Sequence, residues 1–305
     1  MVKLRVLGTL DLQTDSGRPS SDLVGQPKRI ALLAVLALSS TRGPISRDKL
    51  VGMFWPELSQ RRGRRALSQS LYVLRQSLGA DIFVTNGKDA LRLDPSTLWC
   101  DAVEFQEAAG SGDGERALSL YAGDFLDGFH LADTEEFERW VDSERARLKR
   151  VAIETALKLV SQLESAGDSL GAARWARRLA RVDPWDENHL IRLLGFLASQ
   201  GDRSGIEEEF ELHRRRMDRE LGVEPSSELR EAYKRALEGA APSMEQLVPA
   251  TAGGQVPVPT ATGRVPPLRR PWRIRALVGF SALVVLLFVT RDSWEALGEA
   301  ELRGH

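Results

Sequence analysis

Arg61-Arg62-Gly63-Arg64-Arg65-Ala66-Leu67-Ser68-Gln69-Ser70-Leu71-Tyr72-Val73-Leu74-Arg75-Gln76-Ser77-Leu78-Gly79 is the stretch that decides how this chain folds. At about 100° per residue, Leu67, Leu71, Leu74 and Leu78 fall in one narrow sector, a stripe that has to be buried. Arg61, Arg65, Gln69, Tyr72 and Gln76 cluster on the opposite side. Those side chains bond phosphates and base edges. The spacing predicts a recognition helix, held by its leucines and offering its arginines and amides.

The flanking segments supply a small domain around that helix. From Val2 to Leu12 alternate residues share a face, and Asp15-Ser16-Gly17-Arg18-Pro19 turns the chain, so short antiparallel strands open the protein. Pro27 starts a helix whose apolar positions Ile30, Leu33, Ala34 and Ala37 recur at three and four. Gly43-Pro44 ends it. Ser46 caps a second helix that runs to Phe54 and Trp55 before Pro56 stops it. After the arginine helix, Ile82–Thr85 and Ala90–Leu93 read as two strands around Asn86-Gly87, a pair suited to positive φ. Three helices, a terminal hairpin and a small leading sheet make a winged helix-turn-helix over residues 1–97.

Beyond it lies a second domain, residues 98–239, in which from Asp101 the strand signals vanish and amphipathic helices take over. Gly167-Asp168 and Gly201-Asp202 stand 34 residues apart, each between helical runs, with Asp183-Pro184 between them. That is the tetratricopeptide period, which implies stacked helix pairs, none of which buries its apolar face alone. Glu135–Ser165 and Ser226–Leu237 are expected to cap the stack. Residues 240–271, rich in Pro, Ala, Gly and Thr, read as a linker. Ala276–Thr290 carries no charge, and extending it to Trp272 and Trp294 gives a run of about 33 Å at 1.5 Å per residue. Residues 272–294 are therefore expected to span a membrane once, with aromatic residues at each end. The alternative is a buried or oligomerising helix. Arg264, Arg269, Arg270, Arg273 and Arg275 precede the span, whereas Asp292, Glu295, Glu299 and Glu301 follow it. The arginine side stays in the cytoplasm, so the expected location is the cytoplasmic membrane, with residues 295–305 outside.

Net charge is −1 over 305 residues, but the charge is segregated. Residues 1–95 hold 15 Lys and Arg against 8 Asp and Glu, and the remainder 27 against 35. A basic head on an acidic body fits nucleic-acid binding. The single cysteine, Cys100, excludes an internal disulfide and reads as a small core residue. The four histidines show no ligand spacing, and no metal or cofactor is expected. There is no phosphate-binding lysine loop, no His-Glu-x-x-His and no nucleophile elbow, so the chain reads as a non-enzyme. Ser111-Gly112-Asp113-Gly114 is Gly-rich but reads as an inter-helix turn, and the acidic run Asp133–Glu138 as a helix start.

Over residues 2–238 the chain resembles the bacterial transcriptional activators that join an OmpR-like winged helix to a tetratricopeptide-like bacterial transcriptional activator domain, often called the SARP family. The resemblance is carried by Val6-Leu7-Gly8, Arg29 to Leu38, Asp48-Lys49-Leu50, Phe54-Trp55-Pro56, Leu74-Arg75 and Leu78-Gly79. In the second domain it rests on Tyr121 to Gly128, Trp140, Glu144-Arg145, Leu148, Asp183-Pro184, Glu187 and Glu220 to Ser226. Two departures stand out: a tyrosine usual near Phe210 to His213 is absent, and typical members lack the terminal apolar segment.

The resemblance implies that Arg64–Leu78 enters the major groove while the Asn86-Gly87-Lys88 tip approaches the backbone or minor groove. Arg61, Arg62, Arg64 and Lys88 are then the phosphate candidates. Arg65, Gln69 and Tyr72 are placed to reach base edges, with Ser68 and Gln76 on the same face. The implied partners are double-stranded DNA, a second copy through the helical domain and, by analogy at Trp55–Gln60, RNA polymerase. A different class of function also fits the pattern: a membrane-tethered adaptor whose winged helix binds protein instead of DNA.

Overall fold

The amino-terminal elements, in chain order, are β1 (Val2–Arg5), β2 (Asp11–Gln13), α1 (Pro27–Ser40), β3 (Ile45–Ser46), α2 (Arg47–Phe54), α3 (Gln60–Leu78), a 3-10 turn, β4 (Phe83–Asn86), β5 (Ala90–Leu93) and β6 (Leu98–Cys100). They form three helices with two small sheets, one of which carries the β4–β5 hairpin that follows α3. This is a computed structural model, and it describes residues 2–14, 25–86 and 89–240. All of these lie in the first of two units, Met1–Val248 and Pro249–His305. The turn at Asp15–Pro19, Lys88, the linker beyond residue 240 and the apolar run expected to span a membrane fall outside the described residues. Among the described residues, no helix is long and apolar enough to cross a membrane.

Two three-stranded sheets frame α1. The first has the order β2-β1-β6: Leu4 pairs antiparallel with Leu12 and parallel with Cys100. The second, order β3-β5-β4, contains the hairpin expected around Asn86-Gly87, with Phe83 opposite Leu93. Pro27 starts α1 in its first turn. The 3/4 spacing predicts one buried face, yet every residue from Ile30 to Leu38 is buried. A helix apolar all round needs cover on all sides. Here β5 and α2 cover one side and the first helix of the helical region covers another.

Ser46 caps α2 as its position predicts, accepting a hydrogen bond from Lys49 N at 3.2 Å. Lys28 Nζ donates to Phe54 O at the other end of α2 (3.1 Å). The crossing of α2 and α3 depends on a missing side chain. A Cβ built on the buried Gly63 would lie 2.3 Å from Val51 Cγ1.

The helical region comprises α4 (Asp101–Ser111), α5 (Gly114–Leu120), α6 (Glu135–Ser165), α7 (Ser169–Val182), α8 (Glu187–Ser199), α9 (Arg203–Leu221) and α10 (Ser227–Gly239). Three hairpins share one turn. At Gly112-Asp113, Gly167-Asp168 and Gly201-Asp202 the glycine has φ of +84°, +76° and +69°, the left-handed region that ends a helix cheaply. The aspartate then caps the next helix, accepting from Arg116 N, Gly171 N and Gly205 N at 3.1, 2.8 and 2.9 Å. The periodicity exposes two of these turns. The third is displaced by the 31-residue α6.

The two halves share one core. A single apolar cluster runs from Val2 through α1 and α3 to Leu159 and Leu179, and a second, from Val160 to Ala240, fills the end of the stack. Phe54 of α2 lies 5.2 Å from Phe137 of α6, ring centre to ring centre. Each such fully buried phenylalanine stabilises the fold by roughly 1.5–3 kcal/mol. Polar groups lock the same seam. The Asp101 carboxylate, buried at the junction, accepts from Val6 N (2.9 Å), Leu7 N (3.1 Å) and Ala102 N (2.7 Å). Gly8 N donates to Asp124 O at 2.9 Å, and a Cβ on Gly123 would meet Gly8 Cα at 3.1 Å, so backbone rests on backbone there. Glu144, buried on α6, receives Arg42 (2.7 Å) and Arg147 (2.9 Å). Burial raises the Glu144 pKa, but these two arginines outweigh it and hold the carboxyl below its ordinary value.

Candidate nucleic-acid interface

The leucine stripe of α3 turns inward as its spacing predicts. Leu67, Leu71 and Leu74 are buried and Leu78 is half-buried, with Ser70 and Gly63 beside them. The opposite face is open. Arg61, Arg62, Arg65, Ser68, Gln69, Tyr72 and Gln76 are all exposed, Tyr72 at 57%. Seven of the nine expected contact residues therefore share one solvent-facing surface of one rigid helix.

Arg64 differs. Its guanidinium forms a two-point pair with Asp48, both bonds 2.8 Å, and lies 3.6 Å from Asp89. Donating to Asp48 raises the Arg64 pKa and, in return, lowers that of Asp48. Arg64, expected among the phosphate contacts, thus ties α3 to the start of α2 and to Asp89 in the turn of the hairpin. Lys88 lies outside the described residues. Ser68 is also partly engaged, since its hydroxyl donates to Arg64 O at 2.8 Å.

Sequence reasoning missed two cations. Arg75 stacks over the Phe83 ring at 5.6 Å, and Arg47 begins α2 with its N–H on Asp89 O at 2.8 Å. Burial, then the positive charge of Arg75 and Arg64, lowers the Arg47 pKa. Arg75 sits at the edge of the exposed sector of α3, a weak signal. Arg47 gave none, because only the turn between α2 and α3 brings it there.

The amino end of α3 is electrostatically unusual. Its first turn has no acidic residue and Ser59 makes no side-chain cap, while Arg61, Arg62, Arg64 and Arg65 crowd the first two turns. Helix dipoles favour anions at this end. Of the four, Arg64 alone has a carboxylate partner among the described residues. Three guanidinium groups and free backbone N–H groups thus converge on solvent, a local field suited to a polyanion.

The helical region offers a second surface. A cleft of about 380 Å³ is lined by Tyr121, Lys149, Arg178, Arg181, Trp185 and Arg216, among others. At the end of the stack, where the sequence lacks the usual tyrosine, the Phe210 ring stacks on Tyr233 with 4.1 Å between centres.

The architecture is mainly helical with a small β part: three helices and a hairpin at the amino end, followed by a stack of helical hairpins. Residues 101–237, the helical region, match the family model described as bacterial transcriptional activator domain. Among solved structures, the chain is similar to Mycobacterium tuberculosis EmbR in complex with a low affinity phosphopeptide. The two are 20% identical, with a TM-score of 0.49, over 81% of this chain and 67% of that one. No curated protein sequence matches the chain.

Proposed function

We propose that the chain is a transcriptional regulator that binds double-stranded DNA by laying α3 in the major groove, without catalysing a reaction. The observation that carries this reading is the division of α3. One face is anchored by Leu67, Leu71 and Leu74, and the other presents Arg61, Arg62, Arg65, Gln69, Tyr72 and Gln76 to solvent. Arg61 and Arg62 are assigned to phosphates at the cationic end of the helix. Arg65 and Gln69 are assigned to base edges, since arginine pairs with guanine and glutamine with adenine. Arg64 and Asp48 keep the helix at its angle to α2. The match of the helical region to bacterial transcriptional activator domains supports the same class.

Gel-shift titrations across salt concentrations test it. Affinity is expected to fall with a slope of about −0.9 per neutralised phosphate. The double change Arg65→Ala and Gln69→Ala is expected to erase sequence preference while leaving residual, salt-sensitive binding. Unchanged affinity and preference in that variant refute the assignment of α3, and a flat salt dependence favours the protein-binding adaptor.

The same reading extends to partners. The helical region pairs two copies on repeated sites, and the Trp55–Gln60 turn, with Pro56, Glu57 and Ser59 exposed, faces RNA polymerase. Sedimentation with and without DNA tests the pairing, and a strict monomer on one half-site rules it out. Residues 272–294 anchor the chain in the cytoplasmic membrane with α3 on the cytoplasmic side. A carboxy-terminal tag is then digested in intact spheroplasts, and protection of the tag reverses the topology.

A further inference from the structure

The turn between α7 and α8 holds three side chains whose arrangement the regulator reading does not use. Asp183 closes α7, Asp186 caps α8 and His189 lies in the first turn of α8. His189 is 93% buried, and its Nε2 is a buried atom with no hydrogen-bond partner among the described residues. A buried nitrogen left unpaired is costly and calls for an explanation. Its neighbours are the Oδ2 atoms of Asp186 at 3.6 Å and Asp183 at 3.8 Å, beyond hydrogen-bond reach. The three ligand atoms all lie within 4.8 Å of one another.

We infer that Asp183, Asp186 and His189 form a binding site for a divalent transition ion of the zinc class. Zinc sits about 2.0–2.2 Å from imidazole nitrogen and carboxylate oxygen, so two ligands of a tetrahedral ion are about 3.4 Å apart. The two histidine–carboxylate separations exceed that by a few tenths of an ångström, and the two carboxylates, within 4.8 Å of each other, close on an ion by side-chain rotation. One nitrogen and two carboxylate oxygens leave the fourth position to water. The two carboxylates neutralise the ion, and the imidazole selects zinc, nickel or cobalt over magnesium.

Asp186 is held by hydrogen bonds through its other oxygen, and Asp183 has a cation near its own. Asp186 Oδ1 accepts from Asn188 N (3.0 Å) and Nδ2 (2.8 Å), and Asp183 Oδ1 lies 3.8 Å from Lys149 Nζ. Both Oδ2 atoms lie toward His189 Nε2, and for Asp186 the bonds from Asn188 are the second-sphere arrangement that fixes a metal ligand. The Lys149 ammonium opposes the ion, so affinity is expected to be below that of a buried structural zinc site. Pro184-Trp185 connects the two carboxylates, and Trp185, 44% exposed, reports on the turn.

The test is zinc binding by the full chain, prepared with chelator and titrated with Zn²⁺, alongside Asp186→Asn, Asp183→Asn and His189→Gln. Asparagine keeps the cap of α8, so Asp186→Asn folds even if His189→Gln does not. One zinc per chain is expected, with affinity reduced by about tenfold or more in each variant that folds. Zinc should also change tryptophan fluorescence in the parent and not in Trp185→Phe, and cobalt(II) should give a visible absorption band that Asp186→Asn loses. No zinc retained on equilibrium dialysis, or binding that the aspartate variants leave unchanged, overturns the assignment.

Discussion

Gly63→Ala is the most informative single change, because two opposing effects of known size meet at one atom. Alanine is the better helix former by about 1 kcal/mol, and α3 is otherwise undisturbed at this position. Against that, the new methyl would lie 2.3 Å from Val51 Cγ1, where carbon atoms rest at about 3.5–4.0 Å. Val51 is β-branched and buried, so it has no free rotamer to swing into. Relief has to come from separating α2 and α3 by about 1 Å, and overpacking of that kind costs about 1–3 kcal/mol. The net expectation is a loss of about 0–2 kcal/mol in urea unfolding. Removing the obstacle reverses the sign. In a Val51→Ala background the Cβ of residue 51 lies at an ordinary 3.6 Å, so Gly63→Ala becomes stabilising and the double-mutant coupling is about 1–3 kcal/mol. DNA affinity should also fall in Gly63→Ala at temperatures where it is fully folded, because the shift moves Arg65 and Gln69. A stabilised single mutant, or strict additivity with Val51→Ala, would refute the close-crossing argument.

The Arg42–Glu144 contact should be visible in the pH dependence of stability. Glu144 has a folded pKa below its ordinary 4.5, so its contribution is fully present above that pH and is lost as pH falls through the folded value. Arg42→Ala is expected to cost about 1–2 kcal/mol at neutral pH, the low end for charged hydrogen bonds because Arg42 is half exposed, and less in acid. A gap that stays constant from pH 7 to below 4 contradicts this. Cys100 is buried, and burial pushes its thiol up to about 12, so alkylating reagents should label it only after unfolding. Rapid labelling of the native protein, read by mass spectrometry, counts against the burial of β6. Asp168→Ala and Asp202→Ala should each destabilise by about 1 kcal/mol, and the asparagine versions by far less. Equal losses for alanine and asparagine in thermal melts would show that the caps are not responsible.

Much of the fold was legible because single residues carry strong local instructions. Ser46, Pro27 and the Gly-Asp turns mark helix ends, and Leu67, Leu71 and Leu74 mark a buried face whatever packs on it. The parts that escaped are those set by distant partners. The 3/4 pattern of α1 shows one apolar face, and its other faces are buried only because α4 closes over them. Strand β6 has three residues, too few to declare themselves before β1 is beside them. The site divides in the same way. The exposed sector of α3 follows from helical geometry alone, whereas Arg64 is turned to Asp48 and Arg47 is drawn in by the tertiary crossing. Asp183, Asp186 and His189 are spaced by three, but the helix boundary between them hides the cluster from a count of histidines.

The seam between β1 and residues near 125 has a temporal consequence. Leu7 bridges to Phe125, and β1 finds its parallel neighbour only at Leu98–Cys100. A nascent chain therefore carries its first strand half-paired until Leu98–Cys100 has left the ribosome, and the Leu7–Phe125 bridge, which spans more than a hundred residues, closes later still. Winged helix and helical stack mature together, and a fragment ending at residue 97 leaves one edge of β1 open to other chains.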